Sequence, residues 1–172
     1  MKKIILLGYM GCGKSTIAKL LATNVGLPYL DLDEIIEKRE NATIKNLFSE
    51  KGELYFRKVE HEILSDLMKN QDSFILSLGG GTPCYANNHE LLKGENKDAI
   101  YLSASIDTLY DRLKNENQNR PLIANKSEEE MKEFIAKNLF DRSYYYNQAK
   151  YKVTVDNKSV GEIVAEIEKL LA

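Results

Sequence analysis

Residues 8–15, Gly-Tyr-Met-Gly-Cys-Gly-Lys-Ser, satisfy the pattern G-x-x-x-x-G-K-[ST] at every specified position. Gly8, Gly11 and Gly13 let the backbone wrap a phosphate group with its N–H donors turned inward, and a helix starting at the end of the loop adds its positive N-terminus. In such a loop Lys14 reaches the β- and γ-phosphates and the Ser15 hydroxyl is a ligand for Mg²⁺. The surroundings agree, because an apolar strand pattern enters the loop and a helical pattern leaves it. A chance glycine-rich turn would have neither.

Further along, Asp31 and Asp33 stand at the end of a short strand pattern, at the edge where open α/β sheets bind ligands. Strand alternation would set both carboxylates on one side. One could hold Mg²⁺ through water while the other accepts a proton from a substrate hydroxyl. Equally, Asp33 could cap the following helix. Arg57 has Glu53 four residues before it and Glu60 three after, so on a helix both share its face. They could aim the guanidinium at a ligand, or all three could form a solvated ion-pair face. Gly79-Gly80-Gly81 follows another strand pattern and offers bare backbone for close approach. Ser77 stands where many phosphate-loop proteins carry an acidic residue near Mg²⁺, which leaves Asp31 as the candidate for that role.

Only five of the 24 basic residues are arginine: Arg39, Arg57, Arg112, Arg120 and Arg142. A chain that defaults to lysine keeps arginine where a planar fork for carboxylate or phosphate matters. Cys12, inside the loop at a helix N-terminus, is either a reactive thiol or a small filler shielded from reagents.

The elements that must position these groups alternate between strand and helix, the βαβ signature. Strands are expected at 3–7, 28–32, 73–78, 99–102 and 151–155. Helices are expected at 14–25, at 34–69 with a break near 51–52, at 105–114 and at 160–171. Residues 115–127 are polar and turn-rich, and read as a lid or a mobile surface loop. A length of 172 residues fits one domain, with the substrate-binding region at about 33–60 and the lid at about 115–127. A net charge of −2 and a pI near 5.8 argue against a nucleic-acid binder. No apolar run suits a membrane span or a secretory signal, and two unpaired cysteines fit a reducing compartment, so the cytoplasm is expected.

Together, GYMGCGKST (8–16), DLD (31–33), GELYFRKVE (52–60), LSLGGG (76–81), NRPL (119–122) and DRSYYY (141–146) resemble the shikimate kinase family in order and spacing. The resemblance implies an α/β, three-layer P-loop NTPase fold with a five-stranded parallel sheet flanked by helices, plus a lid and a helical substrate-binding region. It implies ATP- and Mg²⁺-dependent phosphorylation of the 3-hydroxyl of shikimate, on the route to aromatic amino acids, by a monomer. By position, Asp33, Arg57, Gly79, Gly80, Gly81 and Arg142 would bind shikimate, supported by Glu60. The ATP site would comprise Gly11, Cys12, Gly13, Lys14, Ser15 and Thr16. Arg112 would pack on adenine, with the backbone of 157–159 closing that pocket. Arg120 would be the lid arginine on the transferred phosphate. Asp33, Lys14 and Arg120 would be catalytic, with Ser15 and Asp31 at the metal. Arg39 falls outside these positions and reads as structural. Thr82-Pro83-Cys84 departs from the small apolar residues that often follow the triple glycine. A related gluconate or nucleoside monophosphate kinase would share the loop but not DLD, FRKVE and GGG together. A nucleotide-dependent switch would have no evident need for Arg57 with Arg142.

Overall fold

Five strands carry the fold: β1 (Lys3–Leu7), β2 (Tyr29–Asp31), β3 (Phe74–Ser77), β4 (Lys97–Ser103) and β5 (Tyr151–Thr154). In the computed structural model, which describes residues 1–119 and 125–172, they form one all-parallel sheet in the order β2-β3-β1-β4-β5. The central strand β1 (KIILL) is buried along its whole length, which is why it reads as an uninterrupted apolar run. Its register, Leu6 against Ser77 and Leu7 against Tyr101, sets the phosphate-binding loop beside the end of β3.

The flanking helices are α1 (Lys14–Val25), α2 (Leu32–Glu40), α3 (Ile44–Lys51), α4 (Glu53–Lys69), α5 (Asn88–Leu91), α6 (Ile106–Leu113), α7 (Glu128–Tyr146) and α8 (Val160–Leu171). Capping fixes most of their starts. Thr43, Ser105 and Ser127 each accept a backbone N–H through the side chain, and Ser159 with Glu162 forms a full capping box.

Three local expectations need correction. The single helical stretch 34–69 is three helices: Gly52 makes the foreseen break at φ 84, and Asn41, left-handed at φ 50, ends α2 earlier. Asp33 lies in the first turn of α2 and not on the strand, and the cap is Asp31, whose Oδ1 accepts from the Glu34 N–H at 3.0 Å. The stretch 115–127 is not all loop, because a 3-10 segment spans Lys114–Asn119. The 19-residue helix α7 lacks a sequence signal because its inward face mixes Met131 and Ile135 with Asn138, Arg142 and Tyr146. Arg120, with most of the NRPL motif, lies outside the described residues. Among the described residues no helix is long and apolar enough to cross a membrane.

Candidate active site

The phosphate-binding loop is shaped by what glycine lacks. A Cβ on Gly8 would lie 2.7 Å from the Leu102 carbonyl oxygen, and Gly13 opens α1 with φ 98. The Lys14 ammonium donates to the carbonyls of Gly8 at 2.7 Å and Tyr9 at 3.2 Å, which holds the charge over the loop mouth. Arg112 ties α6 to the same loop by donating to the Gly11 carbonyl at 3.1 Å. A cavity of about 620 Å³ opens here, lined by Gly11, Gly13 through Thr16, Asp31, Asp33, Ser77, Gly79, Gly80, Arg112, Lys158 and Val160 among others. That volume suits a nucleotide-sized ligand. The Cys12 thiol is fully buried, and the Cys12 N–H donates to the Tyr9 carbonyl at 3.2 Å.

The triple glycine meets three side chains in sequence. A Cβ on Gly79 would sit 3.1 Å from Asp33 Oδ1, one on Gly80 3.3 Å from Arg142 Nη1, and one on Gly81 2.8 Å from Arg57 Nη2. One carboxylate and two guanidinium groups, from α2, α7 and α4, thus converge on three residues of bare backbone. The cavity beside the loop reaches Gly79 and Gly80. Arg142 stands just past them, while Arg57 also borders a separate open cavity of about 760 Å³ shared with Leu54, His61 and Tyr85.

Each group is held. Arg57 Nη1 donates to Glu60 Oε1 at 2.9 Å, and Glu53 lies 3.8 Å from Nε, so the helical spacing of the three residues does make one face. Glu60 is buried, unlike a solvated surface partner. Arg57 Nε is itself buried without a hydrogen-bond partner among the described residues, with the Glu53 carboxylate 3.8 Å away. Arg142 lies over the Tyr9 ring and donates to the Tyr146 hydroxyl at 3.4 Å, and that hydroxyl donates to the Gly80 carbonyl at 2.6 Å. Burial is the main cause that pushes the Asp33 carboxyl up to about 6; the neighbouring Asp31 and Glu60 add to it, and Lys14 partly opposes. A carboxylate so raised is a stronger base than an ordinary aspartate, which suits proton acceptance from a hydroxyl.

Two hard oxygen donors face the loop, the Ser15 hydroxyl and the Asp31 carboxylate, and the Tyr29 hydroxyl meets both, at 3.3 Å from Asp31 Oδ2. Among the described residues no group of three or more His, Cys, Asp or Glu is placed for a metal. A pair of oxygens beside a phosphate loop is the donor set Mg²⁺ uses, since that ion keeps several waters and takes its other ligands from the phosphates. Outside the site, Arg39 makes an exposed ion pair with Glu62 at 3.2 Å. Thr82 and Tyr85 border the site without any spacing that flags them, while Tyr146, four residues past Arg142 within DRSYYY, packs beside that arginine. Their partners Glu60, Arg57 and Gly80 lie 22, 28 and 66 positions away.

A family model described as Shikimate kinase matches residues 10–172. The shikimate kinase of Flavobacterium johnsoniae is 59% identical over 172 residues, covering all of both chains. That of Flavobacterium psychrophilum is 51% identical over 171 residues, 99% of each. Among solved structures, shikimate kinase from Bacteroides thetaiotaomicron superposes with a TM-score of 0.89 at 33% identity, covering 99% of this chain and 98% of that one. The Acinetobacter baumannii enzyme in complex with shikimate gives 0.86 at 29% identity, over 99% and 93%.

Proposed function

The chain belongs to the shikimate kinase family, and from that membership we infer that it transfers the γ-phosphoryl group of ATP to the 3-hydroxyl of shikimate. The observation that carries the residue roles is the pairing of Gly79, Gly80 and Gly81 with Asp33, Arg142 and Arg57, beside the phosphate-binding loop. Shikimate is a small carboxylate bearing hydroxyls. Two guanidinium forks suit its carboxylate, and one basic aspartate suits the hydroxyl that attacks. In this reading Asp33 orients the oxygen nucleophile and takes its proton. Lys14 offsets charge that builds on the transferred group, and Arg120 adds a further cation from the lid proposed at about 115–127. The loop amides and α1 receive the donor phosphates, and Arg112 flanks the base. Ser15, with Asp31 through water, would hold Mg²⁺, whose chemistry there is neutralisation of the phosphate oxygens. Phosphoryl transfer asks a protein mainly for positioning and electrostatics, and these residues supply both.

The net charge of −2 supports a chain that does not seek nucleic acid, and we place it in the cytoplasm as a monomer. A coupled ADP-release assay with shikimate, gluconate and nucleoside monophosphates tests the acceptor. Turnover is expected with shikimate alone, and turnover with another acceptor in its place would overturn the reading. Arg57→Ala is expected to raise the shikimate KM strongly and leave the ATP KM nearly unchanged. Asp33→Asn is expected to abolish transfer.

A further inference from the structure

Two residues of the segment just past the triple glycine bear on Arg57, Tyr85 directly and Thr82 through Glu60. Thr82 is fully buried, and its hydroxyl donates to Glu60 Oε2 at 2.8 Å. The other carboxylate oxygen, Oε1, accepts from Arg57 Nη1 at 2.9 Å. The terminal torsion of a glutamate is soft, so a carboxylate held at one oxygen can swing. Held at both, its plane is fixed, and so is the direction in which it pulls the guanidinium. Thr82 is itself braced: Asn88, fully buried, donates to the Thr82 carbonyl at 2.9 Å and meets His61 Nδ1 at 2.7 Å through its own oxygen. Three residues on, the Tyr85 ring centroid lies 3.9 Å from Arg57 Cζ.

We propose that Thr82 and Tyr85 are positioning residues for the acceptor: Thr82 through Glu60, and Tyr85 by stacking, set the orientation in which Arg57 presents its fork to a carboxylate. The proposal rests on Arg57 as an acceptor-binding residue. Its physical content is preorganisation. A long side chain with many rotamers is ordered before the ligand arrives, so the ordering cost does not fall on acceptor affinity.

Thr82→Val keeps the branched shape and removes the donor. The expected result is a rise in the shikimate KM of about tenfold, the scale of one hydrogen bond to a charged group, with kcat and the ATP KM within about twofold. Thr82→Ser should return the shikimate KM to within about threefold of wild type. Tyr85→Leu should raise it by about three- to tenfold, and Tyr85→Phe, which keeps the ring, should not. In an Arg57→Ala background neither Thr82→Val nor Tyr85→Leu should change it further, because both act through that side chain. Unchanged shikimate KM in Thr82→Val and Tyr85→Leu, a parallel rise in both substrates' KM, or undiminished effects without Arg57 would each overturn the proposal. If Thr82→Val does not fold, Tyr85→Leu decides alone, since its ring is partly exposed. A wild-type shikimate KM in Arg57→Ala itself would remove the premise, a failure that reads differently from silent Thr82 and Tyr85 variants.

Discussion

Gly81→Ala isolates the acceptor side of the site in a single methyl group. Gly81 has φ −90 and ψ −11, a right-handed conformation that alanine adopts without strain, so the backbone has no reason to move. The new Cβ would stand 2.8 Å from Arg57 Nη2, 3.2 Å from Nη1 and 3.3 Å from Cζ. Ordinary contact begins near 3.4 Å, so the guanidinium must retreat by about 0.6 Å. A free surface arginine would absorb that shift. Here the Glu60 carboxylate holds Nη1 at 2.9 Å and the Tyr85 ring centroid lies 3.9 Å from Cζ, so a shift disturbs one contact or the other. A misplacement approaching 1 Å can cost about 100-fold. The expected loss in kcat/KM for shikimate is therefore about 10- to 100-fold, or about 1.4–2.7 kcal/mol. Most of it should appear as a higher shikimate KM in a coupled ADP-release assay at saturating ATP, with the ATP KM unchanged. Gly161→Ala, in the first turn of α8 with only the Ser159 hydroxyl oxygen within 4 Å, is the matched control and should leave both KM values alone. A wild-type shikimate KM in Gly81→Ala would refute the reasoning, and so would equal losses for both substrates.

In Mg²⁺-free protein the Asp33 carboxyl should titrate near 6 by ¹³C NMR, and a midpoint near 4 would contradict its burial beside Asp31 and Glu60. Between about 4 and 6 the native state keeps a proton that the unfolded chain has released. Unfolding free energy should therefore fall as pH rises through that window, by about 3 kcal/mol at most, and Asp33→Asn should remove the slope. Cys12 should resist thiol reagents in the native enzyme and react once the protein is denatured, as mass spectrometry would register; rapid native labelling would contradict its full burial. Tyr146→Phe leaves the Gly80 carbonyl and Arg142 without their shared hydroxyl. It should cost about 1–3 kcal/mol, lowering Tm by about 3–9 °C, with a few-fold rise in the shikimate KM, and an unchanged Tm would show that bond to be idle.

The donor half of the site is legible in the sequence because it is local. The phosphate-binding loop runs from β1 to the first turn of α1, and its chemistry follows from eight consecutive residues. Arg57 is also local in part, since Glu53 and Glu60 lie on its own helix. What spacing does not reveal is that Glu60 is buried and held by Thr82 from across the fold. Asp33 reads ambiguously because a strand end and a helix start differ by only one residue, and the side chain of Asp31 decides between them by capping α2. The helix α7 is hidden for a different reason. Met131, Ile135 and Tyr146 are buried while Phe140 and Tyr144 are largely exposed, and polar Asn138 and Arg142 face inward. Periodicity detects helices that bury oil; this one buries part of an active site.

The sheet order has a consequence for how the enzyme comes alive. Pairing β1 with β3 joins Lys3 to Phe74, so the two site loops become neighbours only after some 70 residues of chain close on themselves. The acceptor half needs still more, because Arg142 arrives on α7, near the end of the chain. In the order of synthesis, the strands that pair with β1 on either side and the Arg112 tie to Gly11 all precede Arg142, so the supports of the phosphate-binding loop are complete in the chain before the second guanidinium beside the triple glycine exists.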